Sequence, residues 1–374
     1  MEINKIAVIG AGLMGSGIVY VSAWNGFEVH MIDINDAAVE AGMDRIRNDV
    51  MTGINKNKIS MSDAEALIGR ISYGTDVAEG VKDVDLVIEA IFENMDVKKK
   101  VFAQADAAAQ PHCILASNTS SLSIDEIASA TKRPEKVIGM HYFSPVPAMK
   151  LLELVLGEKT SPETIACAEK VGKKQGKTTV QAKNSPGFIV NRILMPVMRE
   201  AILLYEQGVA TKEEIDTAMT VHGGMPAGPF ALGDFVGLDI SYHAMSTLYR
   251  ELGDCFKPPD TLKNLVDAGE IGTKAKKGFY DYSGADKEDE PPKGADLEKI
   301  SLRIGLMSIR EAMILVDTGV ASKEDIDPAM VLGASYPKGP FAMAEEMGLD
   351  KVREELTKLN KESGECYSVP KMLQ

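Results

Sequence analysis

The chain has 374 residues, and its 41 basic and 55 acidic side chains give a formal net charge of −14 at pH 7. Hydrophobic residues make up 45% of it and charged residues 26%, a composition typical of folded globular proteins and not of disordered ones. The acidic balance argues against a nucleic-acid-binding protein, because such proteins neutralise phosphates with a basic surface. The length predicts two or three domains.

The cysteines and histidines show no metal-ligand spacing. The four cysteines lie far apart without a Cys-x-x-Cys pair: Cys113, Cys167, Cys255 and Cys366. This argues against a zinc ribbon and against a disulfide framework. We therefore expect four buried thiols, no metal, and a cytoplasmic protein in a reducing environment.

The uncharged segment of residues 8–24 has the hydropathy of a signal peptide or a short membrane span. It contains four glycines, however, and runs through Asn25-Gly26 into a second apolar segment, residues 27–32. We interpret it as strand, turn and helix, and we expect no association with a membrane.

Short apolar segments in the first half of the chain alternate with helical patterns. They predict strands at residues 5–9, 27–32, 84–89, 113–117, 137–141, 151–156 and 178–181. This alternation is typical of an α/β fold, a Rossmann-type doubly wound sheet, which we assign to residues 1–184. Because Pro145-Val146-Pro147 makes a turn, we expect His141 and Glu153 on the two arms of a hairpin.

The second half is predicted to be helical. Ser185 and Pro186 are suited to cap and open a long apolar helix. Pro196 predicts a kink within it, and Gly208 its end. Thr211 begins the next helix with a capping box.

The helical half contains a repeat. The sequence from Arg199 matches that from Arg310 without a gap, at an offset of 111 residues. We expect two tandem helical domains, residues 185–282 and 295–374, joined by an exposed linker, residues 283–294. The second copy has Leu302 at the position of Asn191 and no Rossmann unit, so it is not a second active site. The copies are expected to pack as an internal pseudo-dimer, and a homo-oligomer through other surfaces stays open.

A glycine-rich turn follows the first predicted strand. In it Gly10 permits a tight turn, Gly12 lets a pyrophosphate approach, and Gly15 permits close helix packing. Asp33 ends the next strand, where its carboxylate would bind ribose hydroxyls and repel a 2′-phosphate, so NAD is favoured over NADP. The predicted cofactor-binding turn is Gly10, Ala11, Gly12, Leu13, Met14 and Gly15.

Polar residues also follow later strands. Glu93 is placed to bind the nicotinamide ribose, with Lys98 either near it or on a solvated helix face. Asn118 and Ser120 belong to a Ser-rich segment that is either a helix-capping turn or a ligand-binding loop at the sheet edge. No Gly-x-Ser-x-Gly surrounds Ser120, which disfavours a hydrolase. His141 is the candidate general base, because a carboxylate such as Glu153 fixes the tautomer of a histidine and stabilises its imidazolium.

Seven motifs together resemble the (S)-3-hydroxyacyl-CoA dehydrogenase family: GAGLMGSGI, EAIFEN, SNTSSL, GMHYFSPVPAMKLLELV, NSPGFIVNR, GPFALGDFVGLD and KKGFYDY. The resemblance implies an NAD-dependent oxidoreductase of acyl-CoA substrates in fatty acid metabolism. It implies His141 as general base with Glu153 as its partner. It also implies that Ser120 contacts substrate and cofactor, and that Asn191 contacts substrate.

The chain departs from the family pattern at two places. Ser144 stands where the family often has asparagine, which implies a changed nicotinamide contact. The family's Lys-Thr-Gly-x-Gly-Phe-Tyr is altered after Lys274, which leaves Lys274 as an implied cofactor contact on a loop that lacks the first glycine of the family motif. Lys56 and Lys58 are candidates for the coenzyme A phosphates.

The expected reaction interconverts 3-hydroxybutyryl-CoA and acetoacetyl-CoA. Two alternatives stay open, a dehydrogenase of a free hydroxy acid like the gulonate dehydrogenases and a non-catalytic relative like the lens crystallins. Because the chain starts at the Rossmann strand, a hydratase activity is not expected.

Overall fold

The computed structural model describes residues 2–284 and 293–374, so most of the expected linker lies outside the described residues. It divides into two compact units, Met1–Ser185 and Pro186–Gln374. Within the described ranges, we find no helix with the length and apolarity that crossing a membrane requires.

The first unit contains one eight-stranded sheet in the order β3-β2-β1-β4-β5-β6-β7-β8. All neighbours are parallel except β6 and β7. The chain order reverses between β1 and β4, the place where open α/β sheets bind ligands. The strands are β1 Lys5–Ile9, β2 Glu28–Ile32, β3 Ile71–Gly74, β4 Leu86–Glu89, β5 Ile114–Ser117, β6 Val137–Tyr142, β7 Leu151–Leu156 and β8 Thr178–Lys183.

The sequence-based strands agree with these apart from one omission. β3 is a four-residue edge strand whose side chains are all at least partly exposed, so it lacks the apolar run by which the others were found. The helices of this unit are α1 Leu13–Trp24, α2 Asp36–Asn55, α3 Met61–Ile68, α4 Val77–Val81, α5 Met95–Ala108, α6 Ile124–Ala128 and α7 Pro162–Lys174.

The second unit is helical. Its helices are α8 Val190–Glu206, α9 Lys212–Val221, α10 Pro229–Val236, α11 Leu238–Leu252, α12 Asp260–Asp267, α13 Leu297–Asp317, α14 Lys323–Gly333, α15 Pro340–Met347 and α16 Leu349–Ser363. The predicted start of α8 at Pro186 is wrong. Gly187 and Phe188 have φ values of 74° and 49°, and this left-handed backbone delays the helix to Val190. The capping box of Thr211 is present as predicted.

The two repeats pack against each other within this unit through α8 and α13. Arg303 of the second repeat donates to Glu200 of the first at 2.5 Å, and Arg192 of the first donates to Glu311 of the second. Both glutamates are buried. Arg192 and Arg303 are 111 residues apart, and so are Glu200 and Glu311. The two ion pairs are therefore equivalent, and in each the arginine of one repeat binds the glutamate of the other, as in an isologous dimer interface.

The expectation of four thiols is wrong for two cysteines. Cys255 and Cys366 form a disulfide with their Cα atoms 5.1 Å apart, whereas Cys113 and Cys167 are buried thiols. Their separation of 111 residues, the offset of the repeat, makes them equivalent positions, but only the packing of the repeats brings the two thiols together.

Candidate active site

The glycine-rich turn between β1 and α1 has the geometry of a dinucleotide cradle. Gly10 has a φ of 108°, and a Cβ there would lie 2.5 Å from the Ala90 carbonyl oxygen. A Cβ on Gly15 would overlap the Gly10 carbonyl, so α1 packs directly on the turn. A Cβ on Gly12 would meet nothing within 4 Å, and α1 begins there without a side-chain cap. This helix N-terminus therefore fits a pyrophosphate.

Asp33 is attached to this turn at the end of β2. Its Oδ2 accepts a hydrogen bond from the Ala11 amide at 2.6 Å, and its Oδ1 accepts one from the Ile34 amide at 2.7 Å. Leu13, Ile34 and Phe92 follow three neighbouring strands and are 66%, 87% and 68% exposed. Exposed apolar side chains at the strand ends fit a surface that a dinucleotide covers. Neither Ile34 nor Phe92 stood out as a site residue in the sequence.

His141 and Glu153 are directly opposite each other on the antiparallel strands β6 and β7, which confirms the predicted hairpin. The distance from His141 Nδ1 to Glu153 Oε2 is 2.6 Å, and both residues are buried. His141 Nε2 lies 3.0 Å from Ser120 Oγ. A carboxylate on Nδ1 favours the tautomer that leaves Nε2 able to accept a proton, which is the arrangement of a general base.

The loop that carries Ser120 follows β5 and is fixed at several points. Asn118 Oδ1 accepts a hydrogen bond from the Tyr142 amide at 2.9 Å, which ties the loop to β6 beside His141. Glu93 Oε1 accepts one from the Ser120 amide at 2.9 Å. The Ser-rich segment is thus a loop attached at both its start and its middle to the carboxyl end of the sheet.

Lys98 is buried, which excludes a solvated helix face, one of the two interpretations of its position. Its Nζ lies 2.6 Å from Glu89 Oε1 and 3.3 Å from Glu93 Oε2, and it is 1% exposed. Burial raises the pKa of Glu93, but the Lys98 ammonium and the hydrogen bonds from Thr119 and Ser120 outweigh it and lower the pKa below its ordinary value. Glu89 and Thr119 also belong to this network, and the sequence did not point to them. The one signal for them is their position at or just after the end of a strand.

Comparisons with known proteins decide the family. Residues 5–185 match the profile of the 3-hydroxyacyl-CoA dehydrogenase NAD-binding domain. Residues 187–282 and 300–374 match that of the 3-hydroxyacyl-CoA dehydrogenase C-terminal domain. The chain belongs to the 3-hydroxyacyl-CoA dehydrogenase family. It is therefore an oxidoreductase whose first unit binds NAD.

Similar proteins carry consistent names. "Probable 3-hydroxybutyryl-CoA dehydrogenase" of Bacillus subtilis is 45% identical over 283 residues, 75% of this chain and 98% of that protein. The structure of 3-hydroxybutyryl-CoA dehydrogenase from Escherichia coli K12 has a TM-score of 0.93 at 28% identity, covering 100% of this chain and 98% of that one. The (S)-3-hydroxybutyryl-CoA dehydrogenase of Ralstonia eutropha has a TM-score of 0.74 at 41% identity, covering 75% and 100%.

The other expected site residues of this dehydrogenase lie on loops and helix ends. Ser144 is exposed in the loop after β6, and Lys56 is exposed at the carboxyl end of α2, two residues before Lys58. Asn191 lies in the first turn of α8 in the second unit. Among the described residues, no group of three or more His, Cys, Asp or Glu is arranged to hold a metal ion.

The altered family loop after Lys274 is held by an aspartate. The amides of Phe279 and Tyr280 donate to the two Asp234 carboxylate oxygens at 2.9 and 2.8 Å. A Cβ on Gly278 would overlap Asp234, so this glycine is required. Lys276 stands at the family's glycine position and has a φ of 58°, a left-handed conformation that costs a non-glycine residue about 1 kcal/mol. The loop therefore closes despite the substitution.

Proposed function

We propose that the protein interconverts 3-hydroxybutyryl-CoA and acetoacetyl-CoA with NAD as the hydride carrier. The observation that carries this is the row Glu153–His141–Ser120, joined by contacts of 2.6 and 3.0 Å at the carboxyl end of the sheet. The Bacillus subtilis and Ralstonia eutropha relatives, whose names specify the four-carbon substrate, support the chain length.

In the proposed mechanism His141 Nε2 removes the proton of the substrate hydroxyl group. NAD, when bound, would act as the acceptor of the hydride from the carbon that carries this hydroxyl group. Glu153 keeps the imidazole ring oriented through Nδ1 and stabilises the positive charge that forms on it. Ser120 and Asn191 are proposed to hydrogen-bond the substrate oxygens, which fixes the reacting carbon.

The proposed cofactor contacts begin at the glycine turn and Asp33, which fit the dinucleotide as described. Further proposed contacts to the cofactor are Lys98, Asn118, Ser120, Ser144 and Lys274, whereas for Glu93, the other expected contact, a different role is argued below. Lys56, with Lys58 as the alternative, is proposed to bind the coenzyme A phosphates, because an acidic chain needs a local cation for that group.

We also propose that the protein is located in the cytoplasm. The buried thiols Cys113 and Cys167 support it. The Cys255–Cys366 disulfide argues in the other direction, because such bonds are rare in a reducing cytosol.

The test measures the consumption of NADH with acetoacetyl-CoA as substrate, monitored by the absorbance of NADH. Free acetoacetate is the comparison substrate. We expect turnover of the thioester and little of the free acid. Turnover of the free acid alone would favour the hydroxy-acid alternative. A folded protein that binds NADH and turns over neither would contradict the proposal and favour a non-catalytic role. A series of acyl chain lengths then tests the four-carbon preference.

A further inference from the structure

One carboxylate oxygen holds the backbone that carries Ser120. Glu93 Oε1 accepts hydrogen bonds from Thr119 Oγ1 at 2.5 Å, from the Ser120 amide at 2.9 Å and from the Ser121 amide at 3.2 Å. Three successive residues are therefore tied to a single atom. Charge-assisted hydrogen bonds of this kind are stronger than neutral ones, so they restrict the loop effectively.

Glu93 is itself held in place by a buried ion pair. Its Oε2 lies 3.3 Å from Lys98 Nζ, and Lys98 Nζ lies 2.6 Å from Glu89 Oε1. Glu89 and Lys98 are almost completely inaccessible to water. A buried ammonium with two carboxylate partners has little freedom to move, so Glu93 is anchored to the end of β4.

The same ion pair also fixes the start of the loop. Glu89 Oε2 accepts a hydrogen bond from Ser117 Oγ at 2.6 Å. Ser117 Oγ in turn accepts one from the Thr119 amide at 3.2 Å. The loop is thus attached by Glu89 at its first residue and by Glu93 over its next turn.

We propose that Glu93 is a positioning residue for the dehydrogenase reaction. It acts through Ser120, whose Oγ it holds 3.0 Å from His141 Nε2. This inference rests on the proposed function, in which Ser120 and His141 contact the substrate. This positioning role differs from the ribose contact expected from the sequence. If Glu93 were a ribose ligand, its replacement would mainly weaken the binding of NAD.

A double-mutant cycle distinguishes the two roles. The variants are Glu93→Ala, Ser120→Ala and the combination, measured for kcat, for KM of acetoacetyl-CoA and for the Kd of NADH by fluorescence titration. We expect Glu93→Ala to lower kcat about ten- to a hundredfold, because a small displacement of a substrate contact has effects of that size. In the Ser120→Ala background it should lower kcat less than about threefold further, since Glu93 then has nothing to position.

Two comparison variants sharpen the result. Glu93→Gln keeps an oxygen acceptor for the loop donors and should recover most of the lost kcat. Glu126→Ala removes the exposed partner of the neighbouring Lys99 and should leave kcat and Kd unchanged. If the Kd of NADH rises as much as kcat/KM falls, and the Glu93 and Ser120 effects multiply, Glu93 is a cofactor ligand and the proposal is overturned.

Amide hydrogen exchange tests the positioning without any substrate. In Glu93→Ala the Ser120 and Ser121 amides should exchange faster than in the wild type, because they lose their acceptor. Unchanged exchange would overturn the proposal even in an active enzyme. A wild type that fails to turn over acetoacetyl-CoA would instead contradict the proposed function and leave the exchange result as the measure of this inference.

Discussion

Cys255 is disulfide-bonded to Cys366, the residue that occupies its own position in the second repeat. The two are 111 residues apart, the offset of the repeat. A residue bonded to its own counterpart lies next to the pseudo-two-fold axis that relates the copies. The bond therefore joins the two repeats where the exchanged ion pairs of α8 and α13 also meet.

Reduction of this disulfide is expected to destabilise the protein. Replacing Cys255 and Cys366 by serine should lower the free energy of unfolding by about 2–4 kcal/mol, because a loop of this length no longer restricts the unfolded chain. The measurement is denaturant unfolding with and without a reductant. Reductant should have no effect on the double serine variant. An equal response of both proteins would contradict the stabilising role.

His141→Ala should lower turnover by about two to four orders of magnitude, the usual effect of losing a general base. Steady-state kinetics with acetoacetyl-CoA measures it, and NADH binding should persist. His112→Ala is the matched control, since that histidine is exposed and pairs with Asp85. A loss below about tenfold in His141→Ala would place the base elsewhere.

Because of Lys177, we expect the free energy of unfolding to rise as the pH increases in the alkaline range. Its Nζ donates to the Met149 carbonyl at 2.7 Å and to the Val146 carbonyl in the turn between β6 and β7. Burial, with a smaller contribution from Lys150, lowers the pKa of Lys177 to about 8 from its ordinary 10.5. Between those values the unfolded chain binds a proton that the native state has released, so the free energy of unfolding rises with pH.

The test compares unfolding at pH 8 and pH 10 for the wild type and Lys177→Met. The wild type should gain about 1–2 kcal/mol more than the variant over this interval. Lys159→Met, which removes an exposed lysine, should behave like the wild type. Parallel pH dependences in all three proteins would show that Lys177 is charged throughout.

Arg303→Met should destabilise the second unit by about 2–4 kcal/mol, because the buried Glu200 would lose its guanidinium partner and retain the hydrogen bond from Tyr367. Combining it with Glu200→Gln should recover most of the loss. Arg250→Met, which breaks the exposed pair with Glu251, should cost less than about 1 kcal/mol. Thermal unfolding measures all three variants, and equal effects of the two arginine substitutions would contradict a buried interface.

Removing residues 295–374 should expose the apolar face of α8 that α13 covers. We expect an unstable protein or one that newly dimerises, because that face then needs another partner. Light scattering and thermal unfolding distinguish these results from the full chain. A truncated protein that stays monomeric and as heat-stable as the full chain would be evidence against an internal pseudo-dimer.

The sequence alone determined the features that depend on local pattern. The apolar runs predicted seven of the eight strands, the glycine turn and Asp33 predicted a dinucleotide cradle, and the offset of 111 residues predicted the duplicated helices. His141 and Glu153 could be paired because a single turn separates their strands, so that their register follows from the chain itself.

Tertiary structure decided the contacts between residues that are distant in sequence. Glu89 ends β4, Lys98 lies in α5, and Glu93 lies in the connection between them. The loop that they hold follows β5, and only the order of the sheet brings it next to them. The Cys255–Cys366 bond likewise depends on how the copies pack. Periodicity and turn chemistry describe the neighbourhood of a residue along the chain, whereas these contacts result from packing between elements, which no local pattern encodes.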